Sequence, residues 1–356
     1  MTRPARALID AQVLRHNLDK VRQFAPQSKI MAVVKANGYG HGLERVASVL
    51  VESHAFAVAS FDEGLVLRHA GVAHPICLLE GFFDANELSL LNHHRFSAVI
   101  HHENQLIQLE QTGSTTAIDV WLKVDTGMHR IGFASEKVAQ VLARLKNCDV
   151  VDHVRLMSHL ANADDLSDPT TTTQISRFKS LVAGQGLECS LANSAGVLAW
   201  PDSHLDWVRP GIMLYGASPL RDRSAAELGL EPVMTLTSEL IAVNYQRKGE
   251  RVGYGGEWLC PEGMPVGVVA IGYGDGYPRH APAHTPVLVN EQRVPLIGRV
   301  SMDMITVDLR TQPNAKVGDP VVLWGRGLPV DEVAQRAGTI GYELFVRIPP
   351  RVPRVL

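Results

Sequence analysis

The sequence predicts an α/β protein in which an N-terminal (β/α)8 barrel is followed by a C-terminal domain that is mostly β. Two observations carry this prediction. Up to about residue 216, short apolar runs alternate with segments whose apolar residues recur every three to four positions. After about residue 230, apolar runs are separated by Gly and Pro, with few helical segments between them. A chain of 356 residues is long enough for two domains.

Eight apolar runs in the first part are predicted to be strands. They are nearly continuous in hydrophobicity, as expected of parallel strands that are buried on both faces. Amphipathic helices such as Leu43–Leu50 and Glu136–Leu145 lie between them. Eight strands favour a closed TIM barrel over a doubly wound sheet, which usually has fewer. The predicted strands are Ile30–Val34, Phe56–Ser60, Pro75–Leu79, Phe96–Ile100, Ile118–Val124, His153–Ser158, Cys189–Ala192 and Trp207–Leu214.

The division into domains follows from the same change of pattern. Residues 1–230 are assigned to the barrel and residues 231–356 to the β domain, with a polar linker near Leu220–Glu231. The first ten residues or so are expected to pair with the C-terminal domain. The strands predicted in that domain are Thr235–Val243, Pro265–Ile271, Pro286–Val289 and Met304–Leu309.

Composition narrows the classes of function. The 34 basic and 37 acidic residues give a net charge of −3 without a basic cluster, which argues against a nucleic-acid partner. The N-terminus does not resemble a signal peptide, and no apolar run approaches the roughly 20 residues of a membrane span. We therefore expect a cytoplasmic protein with no membrane association. The four cysteines include no C-x-x-C pair, so we expect reduced thiols and no bound metal.

The most informative segment is Ile30–Gly42, with the sequence IMAVVKANGYGHG. Most lysines that follow an apolar run are simply solvated. Lys35, however, stands at the C-terminal end of a predicted barrel strand, where barrel enzymes carry their active sites, and a glycine-rich loop follows it. An amine in this position can form an imine with an aldehyde cofactor and can act as a base.

The run VVKANGYGHG resembles the pyridoxal-phosphate attachment sequence of alanine racemases. Further motifs of that family follow in the family's order along the whole chain: WLKVDTGMHRIG at 121–132, MSH at 157–159, NS at 193–194, VRPGI at 208–212, VGYG at 252–255, GYGDGYPR at 272–279 and GRVSMD at 298–303. Any one of these could be chance, whereas the ordered set is very specific.

The resemblance implies an isomerase that interconverts L- and D-alanine by a two-base mechanism. It also implies a head-to-tail homodimer in which each active site takes residues from both subunits. Lys35 would hold pyridoxal 5'-phosphate as a Schiff base and act on one face of the substrate. Tyr254 of the other subunit would act on the opposite face, as inversion at an α-carbon requires.

The resemblance also assigns the cofactor contacts. Arg209 would face the pyridine nitrogen, which then stays unprotonated because a guanidinium does not readily give up a proton. His159 would bridge Arg209 and the Tyr254 of the other subunit. Hydroxyls and backbone amides would hold the phosphate; they belong to Tyr39, Ser194, Tyr342, Gly211 and Ile212.

Substrate selection is assigned in the same way. Arg130 would lie beside the phenolic oxygen of the cofactor and the substrate carboxylate, and Met302 of the other subunit would add a backbone contact. Lys123 corresponds to a lysine that is carbamylated in many relatives and orients the arginine. Tyr273 and Asp303 resemble residues at the substrate entrance, and a narrow entrance favours alanine.

Two other enzymatic interpretations stay open at this point: a racemase of broader specificity, and a barrel-fold pyridoxal-phosphate decarboxylase. Decarboxylases of that fold are typically longer and lack the VGY and MD motifs. A non-catalytic pyridoxal-phosphate barrel is a third interpretation, although such proteins lack a domain like residues 231–356. The sequence does not distinguish supply of D-alanine for peptidoglycan from alanine catabolism.

Overall fold

The protein is described by a computed structural model that covers residues 3–112 and 117–355. Its N-terminal part is a closed barrel of eight parallel strands, which confirms the predicted architecture. Trp207–Val208 pairs with Lys29–Val33 and closes the ring. The strands in order around the barrel are Lys29–Val33, Ala55–Val58, Ile76–Leu78, Phe96–Ile100, Ile118–Asp125, Val151–Met157, Cys189–Ser190 and Trp207–Val208.

Helices lie between these strands and cover the barrel. The first of them begins after Asp10, whose carboxylate accepts hydrogen bonds from the amides of Gln12 (2.9 Å) and Val13 (3.1 Å). Leu14 and Val21 on one face of this helix are buried. The helices of this part are Ala11–Phe24, Leu43–Val49, Phe61–His69, Glu87–His93, Glu103–Gln111, Val138–Lys146, Thr170–Val182 and Ser194–Ala199.

The predicted strand Trp207–Leu214 was wrong beyond Val208. Pro210 has no backbone N–H to donate to a neighbouring strand, and the chain leaves the barrel there. Residues Ile212–Tyr215 instead form a 3-10 turn. This early exit places Arg209 and Gly211 at the mouth of the barrel.

The C-terminal part contains a closed six-stranded antiparallel sheet. Arg6–Ile9 pairs with the long first strand of this sheet and with Arg354–Val355, so that both ends of the described chain lie in this domain; residues 1–2 lie outside the described residues. The six strands are Met264–Val269, Ile305–Asp308, Gln292–Ile297, Pro286–Val289, Pro320–Trp324 and Met234–Gln246. The hairpin strands Arg251–Val252 and Trp258–Leu259 and the helices Val330–Arg336 and Gly341–Val346 complete the domain.

Two further features bear on the sequence predictions. The four cysteines are buried and none forms a disulfide. Within residues 3–112 and 117–355, no helix is both long and apolar enough to cross a bilayer.

The helix Gly341–Val346 reaches across to the barrel mouth and packs against Gly40. Gly40 has a φ of +78°, and a Cβ at this position would overlap the carbonyl oxygen of Phe345. Gly71 has a similar φ of +81°, but nothing lies within 4 Å of its Cβ position. An alanine at either position would adopt a strained backbone conformation, but only an alanine at Gly40 would also clash with a neighbouring residue. Comparing the two substitutions therefore separates the two costs.

We expect Gly40→Ala to destabilise the protein by about 2–4 kcal/mol, because it adds both strain and overlap. Gly71→Ala is expected to cost only about 1 kcal/mol, since strain alone applies there. Thermal unfolding of the two variants checks this. Equal shifts of the midpoint would show that the contact between Gly40 and Phe345 does not limit stability.

Candidate active site

A cavity of about 790 Å³ opens at the C-terminal ends of the barrel strands. It is the meeting point of ten residues that the sequence analysis singled out from distant parts of the chain. These are Lys35, Tyr39, Lys123, Arg130, His159, Ser194, Arg209, Gly211, Ile212 and Tyr342. The cavity therefore has the position of an active site, and it is lined by nine predicted residues of the barrel domain and by Tyr342 of the C-terminal domain.

Lys35 lies two residues beyond its strand, at the start of an unusual turn. Ala36, Asn37, Gly38 and Tyr39 all have left-handed backbone conformations, with φ between 50° and 60°. Three of them carry a Cβ, and such a conformation costs L-residues about 1–2 kcal/mol each. The turn directs Lys35 and Tyr39 into one cavity, so this strain is stored at the site.

Side chains around the turn compensate for its strain. One carboxylate oxygen of Glu63 accepts from the Ala36 amide (2.7 Å), and the other accepts from the Ala59 amide (2.8 Å). The Asn37 side chain accepts from the Leu43 amide at 2.9 Å. Burial lowers the pKa of His41 to about 4, so its ring is neutral, and its Nδ1–H donates to the Tyr39 carbonyl at 2.8 Å.

Three side-chain hydroxyls and the backbone of Gly211 lie on one side of the cavity. Tyr39 stacks on Tyr215 with 4.7 Å between the ring centroids, and the centroid of Tyr342 lies 6.1 Å away. Burial raises the pKa of Tyr39 to about 12 and also raises the pKa of Tyr342, so both phenols remain hydrogen-bond donors. A Cβ on Gly211 would lie 2.5 Å from the Tyr39 hydroxyl. Ser194 Oγ accepts from the Gly211 amide at 2.8 Å.

Arg209 is buried at the base of the cavity, 4% exposed, with neutral hydrogen-bond acceptors around it. Its Nη1 donates to Ser190 Oγ (2.5 Å), and its Nη2 donates to the Ser158 carbonyl (2.6 Å). Burial lowers its pKa to about 10, which leaves it charged at neutral pH. Among the described residues, no carboxylate pairs with it, so neutral acceptors alone compensate its charge.

The contact between Arg209 and His159 fixes the tautomer of the histidine. Arg209 Nη2 lies 3.2 Å from His159 Nδ1, and a guanidinium only donates, so Nδ1 must accept. Burial, followed by the charges of Lys123 and Arg209, lowers the pKa of His159 well below its usual value. The ring is therefore neutral and carries its proton on Nε2.

Basic side chains, Lys35, Lys123, Arg130 and Arg209, line the cavity. In the part of the chain that the structure describes, neither Lys123 nor Arg130 forms an ion pair. Lys123 is only 7% exposed, and burial together with Arg209 and Arg130 lowers the pKa of its amine well below the usual value. Hydroxyl donors on one side and cationic groups on the other suit a ligand that bears a phosphate and a carboxylate.

Four predicted site residues do not line this cavity. Tyr254, Tyr273 and Met302 belong to the C-terminal domain, where they are 69%, 40% and 53% exposed. Asp303 lies beside them and forms an ion pair with Arg351. Within this chain, the structure therefore brings together the predicted barrel-domain residues and leaves the predicted second base apart from them.

Several residues around the site were not predicted from the sequence. Glu63 supports the left-handed turn by accepting hydrogen bonds from two backbone amides. Glu80 and His101, which follow the third and fourth barrel strands, line the cavity. Phe83 and Ile340 line it as well and are largely exposed, at 67% and 60%. The position of Glu80 and His101 at predicted strand ends was the one available signal for them.

Comparison with known proteins gives the same assignment over the whole chain. Residues 9–219 match the alanine racemase N-terminal domain, and residues 233–356 match the alanine racemase C-terminal domain. The chain is 56% identical to an alanine racemase of Nitrosococcus oceani over 98% of both chains, and 53% identical to one of Vibrio parahaemolyticus over 98% of both. The crystal structure of the biosynthetic alanine racemase from Pseudomonas aeruginosa is similar, with a TM-score of 0.97 and 47% identity over 99% of both chains.

Proposed function

This chain belongs to the alanine racemase family, and we propose that its active site is completed by a second copy of the chain. The protein is an isomerase that interconverts L- and D-alanine and depends on pyridoxal 5'-phosphate. We assign the two proton-transfer groups of this reaction to two different copies of the chain. One observation carries it: Tyr254 is 69% exposed in the C-terminal domain and does not line the cavity that holds Lys35.

The residues of the cavity fit the cofactor. Tyr39, Tyr342, Ser194 and the amides of Gly211 and Ile212 would hold its phosphate. The glycine at 211 fits this role because a side chain there would press on the Tyr39 hydroxyl. Lys35 would bind its aldehyde carbon, and Arg209 would donate to its ring nitrogen. When bound, pyridoxal phosphate withdraws electrons from the α-carbon of alanine and makes its proton acidic.

Two bases are required because inversion removes a proton from one face of the α-carbon and delivers one to the other. We assign one face to Lys35 Nζ and the other to Tyr254 Oη of a second copy. His159 can donate its Nε2 proton to that phenolic oxygen, because its Nδ1 already accepts from Arg209. Arg130, which has no ion-pair partner in the described chain, would bind the substrate carboxylate.

Exposed apolar residues support the proposal that a second copy of the chain completes the active site. Phe83, Ile340 and Val346 line the cavity and are 67%, 60% and 43% exposed, while Tyr254 and Met302 are exposed in the C-terminal domain and do not line the cavity. Large apolar side chains concentrated at two places on a surface are typical of an interface. We propose a homodimer in which Tyr254, Met302, Tyr273 and Asp303 of each copy serve the cavity of the other.

Complementation between Lys35→Ala and Tyr254→Phe chains tests the shared site. Activity restored in mixed dimers supports it, and mixed dimers as inactive as either parent contradict it.

We further propose that the enzyme works in the cytoplasm and supplies D-alanine for peptidoglycan, because the similar Pseudomonas aeruginosa protein is described as biosynthetic. A requirement for added D-alanine after deletion of the gene checks that role.

We propose that Lys123 carries a carbamate. Burial and the charges of Arg209 and Arg130 lower the pKa of its amine, which favours the neutral form that attacks CO2. An N–C bond forms, one C=O π bond of CO2 breaks, and one amine proton passes to solvent. The resulting anion would lie among the charges of Arg130 and Arg209 and would hold Arg130 in place. In buffer containing ¹³C-bicarbonate, we expect a carbamate carbon signal in NMR spectra of the wild-type enzyme.

The control for this prediction is Lys123→Met, which keeps an unbranched side chain but has no amine. Its spectrum is expected to lack the signal, while bound pyridoxal phosphate still gives visible absorbance. An identical signal in the variant would assign the carbamate to another amine. A wild-type spectrum without any signal would show that Lys123 remains an unmodified amine.

A further inference from the structure

Four charged side chains form an ion cluster in the C-terminal domain: Arg3, Asp275, Asp303 and Arg351. Asp275 is completely buried, with one carboxylate oxygen 2.7 Å from Arg3 Nη2 and the other 2.8 Å from Arg351 Nε. Arg351 Nη2 also donates to Asp303 at 2.5 Å. The two arginines come from opposite ends of the chain, and the cluster as a whole is neutral.

The ion cluster joins two loops. Asp275 accepts from the Gly272 amide at 2.9 Å, and Arg3 Nη2 donates to the Asp303 carbonyl at 2.9 Å. Between these points, the Tyr273 amide donates to the Ser301 carbonyl (3.0 Å) and the Gly274 amide to the Met302 carbonyl (2.8 Å). Residues 272–276 and 301–304 therefore form one unit, and the backbone of Tyr273 and Met302 lies in it.

The burial of Asp275 makes its ion pairs necessary. A buried carboxylate without partners is strongly unfavourable, so Asp275 depends on both arginines to keep its position. The side chains above it are exposed, Tyr273 by 40% and Met302 by 53%, whereas Asp275 beneath them is not exposed at all. The buried ion pairs of Asp275 therefore hold the loops that carry the exposed side chains of Tyr273 and Met302.

We infer that Asp275, held by Arg3 and Arg351, is a positioning residue for racemisation. It fixes Tyr273 and Met302 in the geometry with which they meet alanine in the active site of a second copy. The inference rests on the proposed shared active site. Among the described residues, no hydrogen bond or ion pair joins the ion cluster to the hairpin that carries Tyr254, so substrate binding should depend on the cluster more than proton transfer does.

Asp275→Asn is the direct test, because the amide keeps the shape of the carboxylate and the two arginines that lose their partner are 35% and 41% exposed. Arg351→Gln is the second variant, because it removes one of the two cations while Arg3 still pairs with Asp275. We expect the KM for L-alanine to rise about tenfold in both variants, with kcat changed by less than about threefold. The visible spectrum of the bound cofactor should not change. A wild-type KM in both folded variants would overturn the inference.

Asp308→Asn is the matched control. Asp308 is also a buried carboxylate of this domain in an ion pair, with Arg310 at 2.8 Å, but it does not contact either loop of the cluster. We expect it to lower the unfolding midpoint without raising KM. A comparable rise of KM in this control would show that loss of stability, and not positioning, explains the effect.

Mixed dimers give the sharpest result. In a dimer of Lys35→Ala and Tyr254→Phe chains, the working site takes Lys35 from the second chain and its C-terminal domain from the first. Asp275→Asn placed in the Lys35→Ala chain should therefore raise KM, and placed in the Tyr254→Phe chain it should not. Equal KM values in the two mixtures would contradict the inference alone, whereas an inactive parent mixture would contradict the shared site.

Discussion

Lys35→Ala is expected to lower racemisation of alanine by at least about a thousandfold, because it removes both the cofactor attachment and one of the two proton-transfer groups. Tyr39, Ser194 and Arg209 remain in the variant, so pyridoxal phosphate should still bind without covalent attachment. Chiral chromatography of the product measures the activity. Borohydride treatment should fix the cofactor to the wild-type chain and not to the variant.

Lys137→Ala provides the control, since Lys137 is an exposed lysine on the outside of the same barrel. It should keep wild-type activity, and borohydride should still fix the cofactor to it. A fully active Lys35→Ala enzyme would exclude the proposed role of Lys35. Cofactor fixed to a different lysine of the wild-type chain, found by peptide mass, would exclude it equally.

The barrel and the identity of the cavity residues were accessible from the sequence. Strands such as Phe96–Ile100 are mostly apolar runs between polar residues, so their ends could be predicted within one or two residues. Lys35 and His159 follow such strands, and the carboxyl ends of parallel strands meet at one face of a barrel. Sequence position therefore predicted that they come together before any distance was known.

The left-handed turn after Lys35 was not accessible in this way. Glycines 38, 40 and 42 indicated a flexible loop, but Ala36, Asn37 and Tyr39 adopt the same conformation without being glycine. Their backbone is held by Glu63, which is more than 20 residues away in the sequence, and by the buried ring of His41. Tertiary contacts of this kind override local preference, and local preference is what a single sequence displays.

The ion cluster around Asp275 is a second feature that could not be predicted from the sequence. Arg3 lies in a segment that the sequence analysis expected only to pair with the C-terminal domain, and Asp275 lies in the GYGDGYPR motif without an assigned role. Their contact depends on Arg6–Ile9 pairing beside the strand Met234–Gln246. That pairing joins residues more than 200 positions apart in the sequence, and the apolar alternation within each segment does not specify which strand is its partner.

Tyr254→Phe is expected to lower racemisation by about 10²- to 10⁴-fold, the usual contribution of a proton-transfer group. The phenyl ring keeps the shape of the side chain, so the dimer and the cofactor spectrum should be unchanged. In D₂O, Lys35 should still exchange the α-proton of one enantiomer of alanine, while the other enantiomer should exchange slowly. Equal exchange of both enantiomers would mean that a group other than Tyr254 acts on the second face.

The two inactive variants together decide where the second base resides. If each site combines Lys35 of one copy with Tyr254 of the other, random association of Lys35→Ala and Tyr254→Phe chains makes half of the dimers mixed. Each mixed dimer has one intact site of two, so about a quarter of wild-type activity should return. If both residues served the same chain's cavity, every site would lack one base and no activity would return. Because neither variant alone can form an intact site, the recovered fraction measures the sharing of the site directly.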